Sequence, residues 1–274
     1  MSIPKKIHYC WFGGNDLPDL ANYCIDSWKK HCPDYEIIRW DESNSDLNSC
    51  NFVRQAYLAK KWAFVSDYIR LKIIEEHGGI YLDIDVELLK SLDPLLEHQG
   101  FMGFEQSKPY CVATGLGFGA IPHHPVIKSL IENYEATNFV RNDGCFDMIP
   151  CPQRDTLILQ SFGLKQDNSR QCIDGIEIYP FHFFSPMSIS GINAINSESI
   201  SIHHFNGSWL DELSHNLIMN KRNAIVRHGK FLGLLLGCHY TFFYNLKKFG
   251  LIRGWRVILF GFLSKITNKF FKKG

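Results

Sequence analysis

After position 212 the chain has no aspartate or glutamate at all. All 28 acidic residues lie before it, together with only 17 of the 29 lysines and arginines, so a net charge of +1 conceals an acidic body and a basic tail. Such a split directs the tail toward an anionic surface. The tail's basic residues are diluted with Leu, Phe and Ile and carry no recognition motif, which argues against nucleic acid as the partner. The nine cysteines form no Cys-x-x-Cys pair and no regular framework, so neither a structural zinc site nor a disulfide scaffold is supported and a reducing compartment is expected. No signal-like apolar stretch opens the chain, and the uncharged tail run 231–246 has 16 residues, short of the ~20 of a spanning helix. There is no internal repeat and no low-complexity segment.

What is present alternates. Ile7 to Phe12 has the pattern of a buried strand closed by Gly13-Gly14, Leu17 to His31 that of a helix, and Tyr35 to Trp40 that of a second strand. Helices are expected near 50–59 and 62–77, the second stopped by Gly78-Gly79, and a strand follows, ending in acids. Phe101–Glu105, Gly115–Ala120, Ile176–Tyr179 and Ile200–Phe205 read as short strands, and Pro125–Ala136 and Asp155–Phe162 as helices. This order predicts an α/β sheet flanked by helices over 1–212, with a basic helical appendage over 213–274. Ligands of such sheets bind at the carboxyl ends of the strands.

The segment Ile80-Tyr81-Leu82-Asp83-Ile84-Asp85 places two carboxylates at i and i+2. On an extended backbone Asp83 and Asp85 share a face, while Ile80, Leu82 and Ile84 point into a core. Like charges so close call for a cation, and Mn2+ or Mg2+ held by one or two carboxylates and a substrate phosphate fits that need. In the preceding apolar helix Asp67 and Arg70 share a face at i and i+3. Either they form an ion pair that pins the helix, or Arg70 neutralises a phosphate while Asp67 receives sugar hydroxyls.

Four blocks together resemble glycosyltransferase family 32. They are Ile3 to Gly14, Ser66-Asp67-x-x-Arg70, His77 to Asp85, and His203-His204-Phe205-Asn206-Gly207-Ser208-Trp209. The resemblance implies a GT-A fold, a Rossmann-like mixed sheet, with a nucleotide-sugar donor, a divalent metal and retention of anomeric configuration. By position it implies that Trp11 edges the donor base, although a core tryptophan is equally in keeping with the residue. It further implies that Asp67 and Arg70 contact donor sugar and phosphate, that Tyr81 lies near the phosphates, and that Asp83 lies nearer ribose and sugar with Asp85 the direct metal ligand. Ser208 and Trp209 would close over the diphosphate. His203 and His204 point to opposite faces of a strand, and His204 is the expected metal-side partner.

The expected activity is transfer of a sugar, from a UDP-sugar by analogy, to a surface glycan of capsule or O-antigen type on a polyprenyl-diphosphate carrier. The enzyme is expected in the cytoplasm, peripheral on the inner face of the plasma membrane, with its tail either lying on the anionic leaflet or packed on the acidic body. A haloacid-dehalogenase-like phosphatase would use Asp83 as nucleophile. Against it stand Glu87 where that pattern wants Thr or Val, and the lack of a later Gly-Asp-x-x-x-Asp. A nucleotide-sugar or glycan binder without turnover is the non-enzymatic alternative.

Overall fold

The computed structural model describes residues 2–189, 191–207 and 212–270. They form two compact units, one of 1–188 with 193–209 and the other of 189–192 with 210–274. The first unit is built on a seven-stranded mixed sheet in the order β2-β1-β3-β6-β5-β8-β7. Its strands are β1 (Lys6–Cys10), β2 (Glu36–Trp40), β3 (Gly79–Tyr81), β5 (Gly100–Gly103), β6 (Phe118–Ala120), β7 (Gln171–Ile173) and β8 (Ile176–Tyr179). β1 pairs in parallel with both β2 and β3, and β3 pairs antiparallel with β6. A separate ribbon joins β4 (Val86–Leu88) to β9 (Ser201–His203), antiparallel, with Val86 opposite His203.

Burial follows position in the sheet. β1 lies between two partners and is buried from Ile7 to Cys10, whereas β2, at the edge, leaves Glu36 and Arg39 in solvent. The helices are α1 (Asp19–His31), α2 (Asn51–Leu58), α3 (Trp62–His77), α4 (Pro125–Glu135), α5 (Cys151–Ser161) and the short α6 (Phe181–Phe184). α3 is buried on most of its circumference, including Phe64, Val65, Tyr68, Ile69, Leu71, Ile73 and Ile74. It ends at Gly78, and Gly79 follows at φ 97°, where a Cβ would stand 2.9 Å from His8 Nε2. His8 donates from Nε2 to Gly78 O and accepts at Nδ1 from Trp40 Nε1, while burial pushes its pKa down to about 4, which keeps the ring neutral. β1, β2 and the α3–β3 turn are thus locked together beneath the acids.

Three sequence expectations change here. β3 ends at Tyr81, so Asp83 and Asp85 stand in the turn between β3 and β4, closed by Val86 N donating to Asp83 O, and Ile84 is only half-buried. The chain leaves the sheet there because β6, the partner of β3, begins at Phe118 opposite Tyr81. The expected strand 115–120 is a 3₁₀ turn over Thr114–Leu116 followed by β6. The helix expected from Asp155 starts one turn earlier, at Cys151, with Pro152 in its first turn.

The second unit is a helical span, α7 (Glu212–Phe270), that folds back on itself at Gly229, whose φ is 74°. Ser214 Oγ lies 2.9 Å from Tyr244 Oη, and a Cβ on Gly233 would stand 2.4 Å from Ile225 Cα. Gly237 faces Lys221 in the same way. These pairs are symmetric about Gly229, so the appendage is an antiparallel helical hairpin with two glycines, four residues apart, letting the arms approach. Its second arm leaves Phe231, Leu232, Leu234, Leu235 and Phe243 exposed. Among the described residues no helix is long and apolar enough to cross a membrane.

Candidate active site

The acid turn is held from both ends. Leu82 N donates to His8 O at its start, and α1 anchors its exit, with Trp28 Nε1 donating to Val86 O and Ser27 Oγ accepting from Leu88 N. Within the turn the two carboxylates have different partners. Asp83 Oδ1 accepts from Tyr81 Oη at 2.9 Å and lies 3.5 Å from Arg70 Nη1. Asp85 Oδ2 accepts from Asn206 N at 2.8 Å, and Oδ1 lies 3.1 Å from His203 Nε2. Asp83 is therefore tied to α3 and β3, and Asp85 to the β9 segment.

These neighbours set the charges. Burial pushes Asp83 up, against the pull of Arg70 and with the help of the Asp85 charge. For Asp85 burial works upward too, but His203 and the Asn206 amide outweigh it and hold the carboxyl at about 2. Burial alone would lower His203, and the Asp85 charge and hydrogen bond raise it instead. Asp67, 2.5 Å from Arg70 Nη2, is pushed by burial to about 6 despite that cation. Arg70 itself is buried, stacks 5.7 Å over the Tyr81 ring, and keeps an Nε without a partner.

Asp83, Asp85 and His203 each offer a donor atom, and these atoms lie within 4.8 Å of one another. Two carboxylates and one imidazole suit a divalent ion of the Mn2+ type, for which oxygen and nitrogen ligands are both acceptable. The second histidine of the pair goes elsewhere: His204 Nε2 lies 3.0 Å from Glu87 Oε2, whose other oxygen accepts from Tyr23 Oη. His203, and not the expected His204, faces the acids. Adjacent strand residues alternate, and the register of β9 on β4 decides which one turns inward.

Of the other residues named from sequence, Tyr81 is buried and acts here as the hydrogen-bond donor that orients Asp83. Trp11 is half-buried at the end of β1 and donates from Nε1 to Asn15 O. Ser208 and Trp209 lie outside the described residues. Gly13, Gly14 and Glu42, at strand ends where the site was expected, line a cavity of about 490 Å³ together with Tyr57, Lys60 and Trp62, which sequence reasoning missed. Trp62 opens α3 and lies so close to Gly13 that a Cβ there would stand 2.8 Å from its Nε1. The Gly13-Gly14 break after a strand was the available signal, since a backbone without side chains admits a ring at contact distance.

A mixed sheet flanked by helices, with an acid pair just past the carboxyl end of a central strand, defines the class as a mixed α/β architecture with its candidate site at a strand end. Residues 18–102 match the family model described as "Glycosyltransferase sugar-binding region containing DXD motif", and the resemblance to glycosyltransferase family 32 is borne out for that segment. A mannosyl phosphorylinositol ceramide synthase of Saccharomyces cerevisiae is 35% identical over 144 residues, which cover 47% of this chain and 35% of that protein. Inositol phosphoceramide mannosyltransferase 3 of Schizosaccharomyces pombe is 29% identical over 140 residues, 48% of this chain and 37% of its own length. The chain thus spans between a third and two-fifths of the length of these two relatives. Among solved structures, the PaToxG glycosyltransferase aligns with a TM-score of 0.44 at 20% identity, covering 58% of this chain and 70% of that one.

Proposed function

We propose that the protein is a metal-dependent, retaining glycosyltransferase that uses a nucleotide-sugar donor. The observation that carries this is the Asp83–Asp85–His203 cluster set beside the buried Asp67–Arg70 pair at the carboxyl rim of the sheet. Mn2+ or Mg2+ bound there would supply Lewis-acid stabilisation of the departing diphosphate. Arg70, already charged and fixed by two carboxylates, presents a second cation to the same region. Asp67, Asp83 and Asp85 all have partners of their own, which supports same-face attack by the acceptor over a covalent carboxylate intermediate. The Gly13–Trp62 cavity, with Tyr57 at 5.4 Å from the Trp62 ring, offers the aromatic wall a nucleobase needs. In this reading it takes over from Trp11 as the main contact to the base.

The acceptor in this reading is a lipid-linked anionic glycan of surface-polysaccharide type, extended at the inner face of the plasma membrane. The relatives named for inositol phosphoceramide also act on a phosphate-bearing lipid, which supports a membrane-borne acceptor and puts mannose among the donor sugars. The exposed apolar residues of the hairpin's second arm, in a tail with 12 basic and no acidic residues, support docking on an anionic leaflet. Each basic residue near such a surface contributes about 1 kcal/mol. The test is a panel of UDP- and GDP-sugars, GDP-mannose included, scored for metal-dependent release of nucleoside diphosphate. Release from one donor by the wild type and its loss in Asp85→Asn is expected. Equal rates in both, or release without metal, would overturn the assignment.

A further inference from the structure

The turn Thr114–Leu116 forms a third wall beside the Asp67–Arg70–Asp83 group. Gly115 presents a bare Cα there, and a Cβ would stand 2.4 Å from Asp83 Oδ2 and 3.4 Å from Arg70 Nη1. Its backbone is closed by Leu116 N donating to Ala113 O and tied to β5 by Ala113 N donating to Gly103 O, and side chains add to these. The side-chain anchors come from the first two turns of α5. Thr156 Oγ1 accepts from Val112 N at 2.9 Å, Asp155 Oδ2 accepts from Thr114 Oγ1 at 2.9 Å, and Cys151 Sγ lies 3.8 Å from the same hydroxyl. Asp155 and Thr114 are both fully buried, and Asp155 Oδ1 has no partner. A buried carboxyl with an idle oxygen is expensive to keep, and a core position would normally hold an apolar residue.

We propose that Asp155 is a positioning residue for the donor sugar: through Thr114 it sets the distance of Gly115 from Asp83 and Arg70, and so the shape of the sugar-side wall. This rests on the glycosyltransferase reading. Asp155 makes no hydrogen bond to the acid cluster: its contact with the site runs through the Thr114–Gly115 turn, and its charge is also felt by Arg70 and Asp67. Its effect therefore falls mainly on the sugar part of the donor, because the nucleoside diphosphate part is held in addition by Asp85, His203 and the Gly13–Trp62 cavity, which the turn is not seen to meet. Gly115 belongs to the same device, since any side chain there would collide with the carboxylate it faces.

The experiment compares the full-length wild type with Thr114→Val, Asp155→Ala and Thr114→Ser. Calorimetry with Mn2+ measures affinity for a free nucleoside diphosphate and for the matching nucleotide sugar, and hydrogen exchange follows the amides of 112–117. Thr114→Val and Asp155→Ala should weaken the intact donor by about tenfold, the loss of one buried hydrogen bond, and leave the nucleoside diphosphate within about twofold. Thr114→Ser, which keeps the hydroxyl, should stay near wild type, and the double variant should be no worse than either single one. Exchange at 114–116 should quicken in the damaged variants while β3 stays protected. Equal loss for both ligands, a Thr114→Ser as weak as Thr114→Val, or unchanged exchange would overturn the proposal. A wild type that binds nucleoside diphosphate but no nucleotide sugar would instead bring down the transferase reading, with the exchange result still deciding whether the anchor exists.

Discussion

Replacing Arg70 by methionine tests the electrostatic design of the site without touching a candidate metal ligand. The Arg70 side chain is 3% exposed and its guanidinium faces two carboxylates, Asp67 at 2.5 Å and Asp83 at 3.5 Å. Methionine fills much of the volume, so the cost comes from stranding those acids, and breaking a buried pair from one side costs roughly 3–5 kcal/mol. Both acids already titrate above their ordinary value, Asp67 at about 6. Without the cation their folded pKa values rise further while the unfolded ones stay near 4. Over the interval between, the folded state holds more protons than the unfolded state, so stability falls as pH rises. The Arg70→Met penalty should therefore be larger at pH 8 than at pH 5. Urea unfolding of wild type and variant at the two pH values measures it. The double variant Arg70→Met/Asp67→Leu should recover part of the loss, because an apolar pair replaces a lone charge. A penalty under about 1 kcal/mol, equal at both pH values, would show that Arg70 is not the counter-charge its distances imply.

Further outcomes follow from the same geometry. His203→Ala should weaken Mn2+ binding at least tenfold or so while His204→Ala changes it little, read by metal titration; equal effects would mean that the β9 register does not choose the ligand. Asp85→Asn should abolish metal-dependent turnover and lower the melting temperature at neutral pH, since Asn206 N keeps an acceptor oxygen but the charged pair with His203 is lost. Gly229→Val should destabilise the hairpin by about 1–2 kcal/mol, the cost of a side chain in the left-handed region, and an unchanged melting curve would deny the reversal at that residue. Leu235→Asp with Phe231→Asp should lower co-sedimentation with anionic vesicles, and undiminished binding would exclude that face as the contact.

Much of the site was visible in the sequence because its chemistry is local. The Asp67–Arg70 interval on one helical face and the Gly78-Gly79 stop lie where their short-range patterns required, while the Asp-x-Asp pair falls in the turn just past its expected strand. What the sequence hid depends on pairing at long range. Whether His203 or His204 faces the acids is decided by the register of β9 on a strand more than a hundred residues earlier. The end of β3 at Tyr81 is decided by where β6 begins. Asp155 was legible only as the start of a helix, and nothing in its sequence neighbours shows that it is buried against Thr114. The hairpin reversal had a local cue, Gly229 between His228 and Lys230, but the antiparallel match of its arms needs both helices at once.

The β4–β9 ribbon has a temporal consequence. Asp83 and Asp85 leave the ribosome with the early half of the chain, but the imidazole and the Asn206 amide that restrain Asp85 are encoded 118 and 121 positions after it. At bacterial and eukaryotic synthesis speeds that is a wait of roughly 6–24 s. During it the central strands can already pair while two carboxylates remain without their third companion. In the metal-dependent reading, loading of the ion would be a late event in biogenesis, and a nascent chain arrested before Ser201 would carry paired strands with an unfinished donor set.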